Sequence, residues 1–342
     1  MQRDNLIFYP TPGLDSRSNL FVERFLNILS EKYNVVGMEE ISNDLKKMKR
    51  TKAFFINWGE SACDWRFKRH LILYKLFGIK ICWVFHNRVP HDCNDQKEIR
   101  NMKWLANFSD YIIILSHASI KYVPGAKKNE KKCVYLPHIH YVDAYPVSNL
   151  EIRDKYGIEK DKFVFSFLGA LRPYKNIELV IQAFKELNLE SARLLIAGNA
   201  KNGRYVNELR RLCHEDERII LDTGYISNGD MEGYLKGSDI LVLPYNKVSS
   251  MNSGAMIMAF SYGRTVIAPK IAMAEDFEGE NVAFIYDYMN ENENYELLKD
   301  KMMEAYKCGP EGIRRIGETA RRYVVENNNR DMVIQGLERM KI

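Results

Sequence analysis

The stretch Phe163 to Leu187, FVFSFLGALRPYKNIELVIQAFKEL, passes from an unbroken apolar run through a short basic loop into a helix-period pattern. Phe163 to Leu168 has the length of a buried strand, and Gly169 lets the backbone turn sharply. Leu179, Ile181, Ala183, Phe184 and Leu187 then recur at helical spacing. Arg172 and Lys175 fall in the turn. The unpaired N–H groups and the positive dipole end of the helix point the same way as these cations, so a diphosphate can be held there without a metal. Two cations beside a proline are ordinary solvated charge when nothing supports them, so the reading needs a second element of the same kind.

The same rhythm runs through the whole chain. In the first half, apolar runs occur at Asn5 to Tyr9, 35–38 (VVGM), 53–58 (AFFINW), 79–87 (IKICWVFHN), 111–116 (YIIILS) and 133–138 (CVYLPH), with helices after the first loop and around Trp65 to Phe77. A lapse at 141–149 reads as a linker. The alternation then resumes with runs at 163–168, 192–198, 218–224, 239–245, 265–269 and 282–286. Alternating strands and helices in both halves predict an α/β protein with two doubly wound parallel sheets. The expected segments are 1–147, 148–320 and a helical 321–342.

The second element is PYNKVSSMNSGAMIMAFSYGRTVIAP, residues 244–269. A strand ends near Pro244, a polar loop leads to Ser253 and Gly254, and Ala255 to Tyr262 reads as a helix. Gly254 can offer its amide to a phosphate oxygen, and the Ser253 hydroxyl can add a hydrogen bond or simply cap the helix. In the first half, His86 and Asn87 close one run, and His138 closes another. Ligands of open parallel sheets bind outside the carboxyl ends of the strands, although a lone histidine after an apolar run is commonly a packed one. His91 is a loop residue. Gly13 supplies a flexible turn after the first run, and Ser16, Ser18 or Asn19 can cap the helix that follows.

At 342 residues, two domains are expected. No stretch reaches the length of a membrane span, and MQRDNLIFYP lacks a secretory pattern, so a cytoplasmic location is expected. The 6 cysteines show no paired spacing for zinc or a disulfide framework. Charge is uneven: residues 1–146 carry 23 Lys and Arg against 15 Asp and Glu, a net of +8, and residues 147–342 carry 27 against 30, a net of −3. A phosphorylated substrate or an anionic membrane surface fits this excess. No nucleic-acid signature accompanies it.

FLGALRPYKNIELVIQAF, LLIAGNA, LDTGYISNGDMEGYLKGSDILVLPY and SGAMIMAFSYGRTVIA follow one another in the order and spacing of GT-B glycosyltransferases similar to family 4, and ICWVFHNRVPH resembles a first-domain segment of the same enzymes. RRYVVENNNRDMVIQGLERM resembles their C-terminal helices. The resemblance implies two Rossmann-like domains facing a cleft, with the C-terminal helices crossing back to the first domain. It further implies transfer of a sugar from a nucleotide-diphosphate donor to a saccharide acceptor, which such enzymes often use lipid-linked in cell-surface polysaccharide assembly.

Residue by residue, Arg172 and Lys175 match the family's donor-phosphate cations, Ser253 and Gly254 its phosphate loop, and His86 a histidine beside the transferred sugar; His86, Arg172 and Lys175 are the catalytic candidates. Gly198, Asn199, Tyr225 and Met258 fall at nucleotide-binding positions. Gly13, Ser16, Asn19, Asn87 and His91 fall on the acceptor side.

The paired glutamates of many members are replaced by Ser250 and Met258. A GT-B epimerase, or a nucleotide-sugar-binding module without turnover, is the competing reading. With no D-x-D sequence, neither a metal nor another cofactor is required. Lys46, Lys47, Lys49, Arg50, Arg66, Lys68, Arg69, Lys127, Lys128, Lys131 and Lys132 are the cations available to an anionic membrane surface, while Leu71, Ile72, Leu76 and Phe77 read as core.

Overall fold

The computed structural model describes residues 3–11, 19–42, 44–89, 95–200 and 202–342. Its strands form two six-stranded sheets in which every paired neighbour is parallel. The first holds β1 (Asn5–Tyr9), β2 (Asn34–Val36), β3 (Thr51–Asn57), β4 (Lys80–Phe85), β5 (Tyr111–Ile114) and β6 (Cys133–Tyr135), in the order β2-β1-β3-β4-β5-β6. The second holds β7 (Phe163–Leu168), β8 (Ala192–Ala197), β9 (Ile219–Asp222), β10 (Ile240–Val242), β11 (Thr265–Pro269) and β12 (Phe284–Tyr286), in the order β12-β11-β10-β7-β8-β9. Strands covered on both faces need apolar residues at every position, which is why β4 and β7 read as continuous runs. All six side chains of β7 are buried; its one polar member, Ser166, accepts a hydrogen bond from Ser238 at 2.7 Å.

The first sheet belongs to a unit made of Met1–Ile139 and Asn328–Ile342, the second to a unit spanning His140–Asn327. These divisions differ from the expected breaks after 147 and 320, for local reasons. The stretch after Ile139 is already tied to the second unit: the Tyr141 amide donates to Ser261 Oγ at 2.7 Å, the Tyr145 amide to the Tyr262 hydroxyl at 3.1 Å, and the Ser148 amide to Glu232 at 2.6 Å. The helix Glu291–Asn327, kinked at Gly309 before Pro310, runs past residue 320 with Ala320 and Val324 buried. Only the last helix, Arg330–Arg339, returns to the first unit, where Asn328 Nδ2 donates to the His138 carbonyl at 2.9 Å and the Tyr33 hydroxyl to the Ile342 carbonyl at 2.8 Å.

Several strands are shorter than their apolar runs. The run at 35–38 stops at Val36, because Met38–Ile41 is a helical turn whose Glu40 carboxylate accepts the Gly37 N–H at 3.0 Å. β4 ends at Phe85, one residue before His86, and β6 ends at Tyr135. No described helix is long and apolar enough to cross a membrane.

Candidate functional site

In the second sheet the chain reverses its direction of winding between β7 and β10, and ligands of open α/β sheets enter at such a switch point. Two loops leave the carboxyl ends of these strands. After β7, Gly169 turns at φ +129°, Pro173–Lys175 forms a single helical turn, and Asn176 adopts the left-handed conformation before the helix Ile177–Leu187. Asn176 gives that helix no side-chain cap, but its first amide, the Ile177 N–H, is hydrogen-bonded to the Tyr205 phenol. After β10, Tyr245 is buried and the loop leads to the helix Gly254–Ser261, which Ser253 caps by accepting the Met256 N–H at 3.1 Å.

The two loops meet through Tyr245, which no sequence pattern marks. The Lys175 ammonium lies 5.3 Å from the Tyr245 ring centroid and 5.4 Å from that of Phe167. The Tyr245 phenol is hydrogen-bonded to Ser253. Lys175 is thus half-buried on an aromatic floor. Burial, and secondarily the neighbouring Arg172 charge, lower its pKa to about 8. Arg172 is exposed at the mouth, beside the hydroxyl of Tyr174. The arrangement is a cation on apolar rings with a second cation above it, a setting that gains from an incoming anion.

Gly198 closes the other side of the turn. It is buried at the end of β8, with its N–H donating to the Asp222 carbonyl at 3.0 Å, and Asn199 accepts the Leu171 N–H on its carbonyl at 2.9 Å. Tyr225 is 68% exposed and lies within electrostatic range of Tyr145. Tyr145 stacks with Tyr141 at 6.4 Å. Met258 is buried, and the half-buried Tyr145 donates its hydroxyl to Met258 Sδ at 3.3 Å. Ser250 is also buried, its amide donating to the Asn246 carbonyl at 2.9 Å.

His86 belongs to the first unit and is described there alone. It is buried, stacked on Trp58 at 4.7 Å and edge-on to Phe21 at 5.7 Å, with Nε2 hydrogen-bonded to Asn57 Oδ1. Burial, and then the nearby His138, lower its pKa to about 3, so it is neutral near pH 7. His138, also against Phe21, is lowered by burial to about 4. Trp58, half-way to solvent at the end of β3, holds φ +56°, an uncommon value for a bulky residue that recurs at functional sites. No sequence pattern singled it out. Asn87 is half-buried after His86. Asn19 uses its side-chain oxygen to cap the helix Leu20–Lys32, accepting the Phe21 N–H at 3.0 Å. Gly13, Ser16, Ser18 and His91 lie outside the described residues. Among the described residues no three His, Cys, Asp or Glu side chains gather as a metal site.

Residues 148–323 match the family described as glycosyl transferases group 1. A GDP-mannose:glycolipid 4-beta-D-mannosyltransferase of Xanthomonas campestris is 23% identical over 246 residues, 71% of this chain and 64% of that protein, so the match spans a little under two thirds of that relative. An uncharacterized glycosyltransferase of Methanocaldococcus jannaschii is 24% identical over 94% of this chain and 77% of its own length. Among solved structures, HepE of Anabaena in complex with UDP-glucose superposes with a TM-score of 0.75 at 14% identity, covering 99% of this chain and 100% of that one. Sucrose-phosphate synthase of Thermosynechococcus elongatus gives 0.74 at 14%, covering 99% and 98%. At such identities these structures bear on the fold, which is GT-B.

Proposed function

Because the chain belongs to the glycosyl transferases group 1 family, we propose that it moves a hexosyl group from a nucleotide-diphosphate sugar to a saccharide hydroxyl. The observation that carries this reading is the half-buried Lys175 on the Tyr245 ring, between the N-terminus of Ile177–Leu187 and the Ser253–Gly254 turn. In such a transfer the bond from the anomeric carbon to the donor phosphate oxygen breaks, and the acceptor oxygen forms the new bond. Positive charge grows on the sugar and negative charge on the departing diphosphate. Preplaced cations and amides that meet the second charge supply the largest catalytic contribution. Lys175, Arg172 and the Gly254 amide take that part, and no divalent cation is needed for it.

One relative named above, a GDP-mannose:glycolipid 4-beta-D-mannosyltransferase, supports a lipid-linked saccharide as acceptor. An acceptor of that kind places the protein at the inner face of a membrane, in keeping with the basic excess of residues 1–146. His86, neutral and aromatic-lined, is proposed to face the transferred sugar.

The test is a thermal-shift panel of nucleotide sugars including GDP-mannose and UDP-glucose, followed by transfer from the best binder. A donor at a hundred times its Kd adds roughly 2.7 kcal/mol of stability. No shift with any donor removes the reading; a free epimer in place of a glycoside replaces it with epimerisation.

A further inference from the structure

The helix Trp65–Leu76 is apolar on two sides. Phe67, Leu71 and Tyr74 recur at i, i+4 and i+7 and are buried. The side a surface helix normally gives to polar residues carries Trp65, Ile72, Leu73 and Leu76, which are 60%, 47%, 36% and 80% exposed. This corrects the sequence expectation. Leu71 is core, but Ile72 stands about 100° further round the helix and faces out; Leu76 does the same, and Phe77 is half-buried.

Single exposed apolar side chains mean little, but these share one open groove with Arg66 and Arg69. The two guanidinium carbons lie 5.6 Å and 5.3 Å from the Trp65 ring; the Arg66 charge also reaches the Asp64 carboxylate, whose pKa it helps to lower, while Arg69 has no ion pair among the described residues. The complement of this surface must offer hydrocarbon and anionic oxygen within a few ångströms of each other. An acidic protein would satisfy the arginines and leave Ile72 and Leu76 against water. A purely apolar partner would strand the arginines. A bilayer of anionic lipid meets both needs: tryptophan sits at headgroup depth, aliphatic side chains enter the acyl boundary, and guanidinium groups pair with phosphates.

We propose that the Trp65–Leu76 helix docks the protein on an anionic lipid surface, with Trp65, Ile72 and Leu76 inserted and Arg66 and Arg69 at the headgroups. This rests on the reading that the acceptor is lipid-linked, and it names the surface that would deliver the first unit to such an acceptor. Docking at one helix also suits an exchange of acceptors, because it is reversible and salt-sensitive.

Co-sedimentation of the full chain with vesicles tests it. Binding is expected to be strong to phosphatidylcholine mixed with phosphatidylglycerol and much weaker to phosphatidylcholine alone, where only insertion contributes. It should weaken, without vanishing, near 1 M salt, where charges are screened within about 3 Å and insertion remains. Ile72→Ser with Leu76→Ser, and separately Arg66→Gln with Arg69→Gln, should each lower partitioning at least about tenfold with melting unchanged, since all four side chains lie outside the core. Arg321→Gln with Arg322→Gln removes equal charge at exposed positions elsewhere and should bind as wild type. If wild type binds and both helix variants bind equally well, or the Arg321 and Arg322 variant loses as much, the helix assignment is wrong while membrane association stands. If wild type stays in the supernatant with anionic vesicles at low salt, membrane association fails as a whole. Self-association abolished by the Ile72 and Leu76 variant would mark the face as a contact between copies and overturn the proposal. Donor binding reads the transferase assignment separately.

Discussion

A Cβ placed on Gly198 would lie 1.9 Å from the carbonyl oxygen of Gly169 and 2.6 Å from its carbonyl carbon, because the ends of β8 and β7 press main chain on main chain. Gly198 also holds φ +150°, a conformation that glycine favours. Gly198→Ala must displace the turn that carries Arg172 and Lys175. We expect a loss of at least about 2 kcal/mol in stability by urea unfolding, with weaker donor-induced stabilisation in the folded remainder. A variant with wild-type midpoint and donor response would show that the two turns part without cost.

Arg172→Ala and Lys175→Ala should each reduce kcat/KM for transfer at least about tenfold, or 1.4 kcal/mol of transition-state stabilisation. Turnover should persist in EDTA, because side-chain cations meet the leaving group. Unaltered kcat/KM in both variants, or strict dependence on added magnesium or manganese, would refute this division of labour.

The lowered pKa of Lys175, about 8, gives a pH signature. The free protein loses this cation as pH rises through that value, so kcat/KM should fall on the alkaline side with a limb near 8. A bound diphosphate favours the charged form, and the corresponding limb in kcat should lie higher. Lys175→Arg keeps the charge and should remove the limb, even where the altered shape lowers the plateau. Coincident limbs in wild type and Lys175→Arg would assign the titration to another group.

His86 and His138 bear on stability in acid. Their folded pKa values, about 3 and about 4, lie below the ordinary 6.5, so the unfolded chain takes protons that the fold refuses. Stability contributed by their neutral forms is present above pH 6.5 and is lost as pH falls toward 4, by up to about 1.4 kcal/mol per pH unit for each. Glu60, donated to by Trp83 Nε1 at 3.0 Å, is pushed up by burial to about 7 and opposes this, holding a proton in the fold that the unfolded chain releases. The useful readout is a difference: between pH 7 and 5, urea midpoints should drop less for His86→Asn than for wild type. Parallel curves would mean that His86 accepts a proton in the fold.

By itself the sequence determined the repeated strand and helix order, the parallel sheets, and the Arg172, Lys175, Ser253 and Gly254 turns, because burial on both faces of a strand and the start of a helix are local patterns. Its limits were equally physical. VVGM reads as strand, whereas the Gly37 N–H donates to Glu40 of a helical turn that begins at Met38, and Ile72 and Leu76 read as core because composition does not reveal which stripe of a helix meets the sheet. Tyr245 under Lys175, Trp58 against His86 and Gly198 against Gly169 were decided only in three dimensions. Each contact joins residues from different strand ends, brought together by which strands are neighbours and by their register, such as Ile240 opposite Phe165. Pairing of that kind is a property of the whole sheet, and no single segment encodes it.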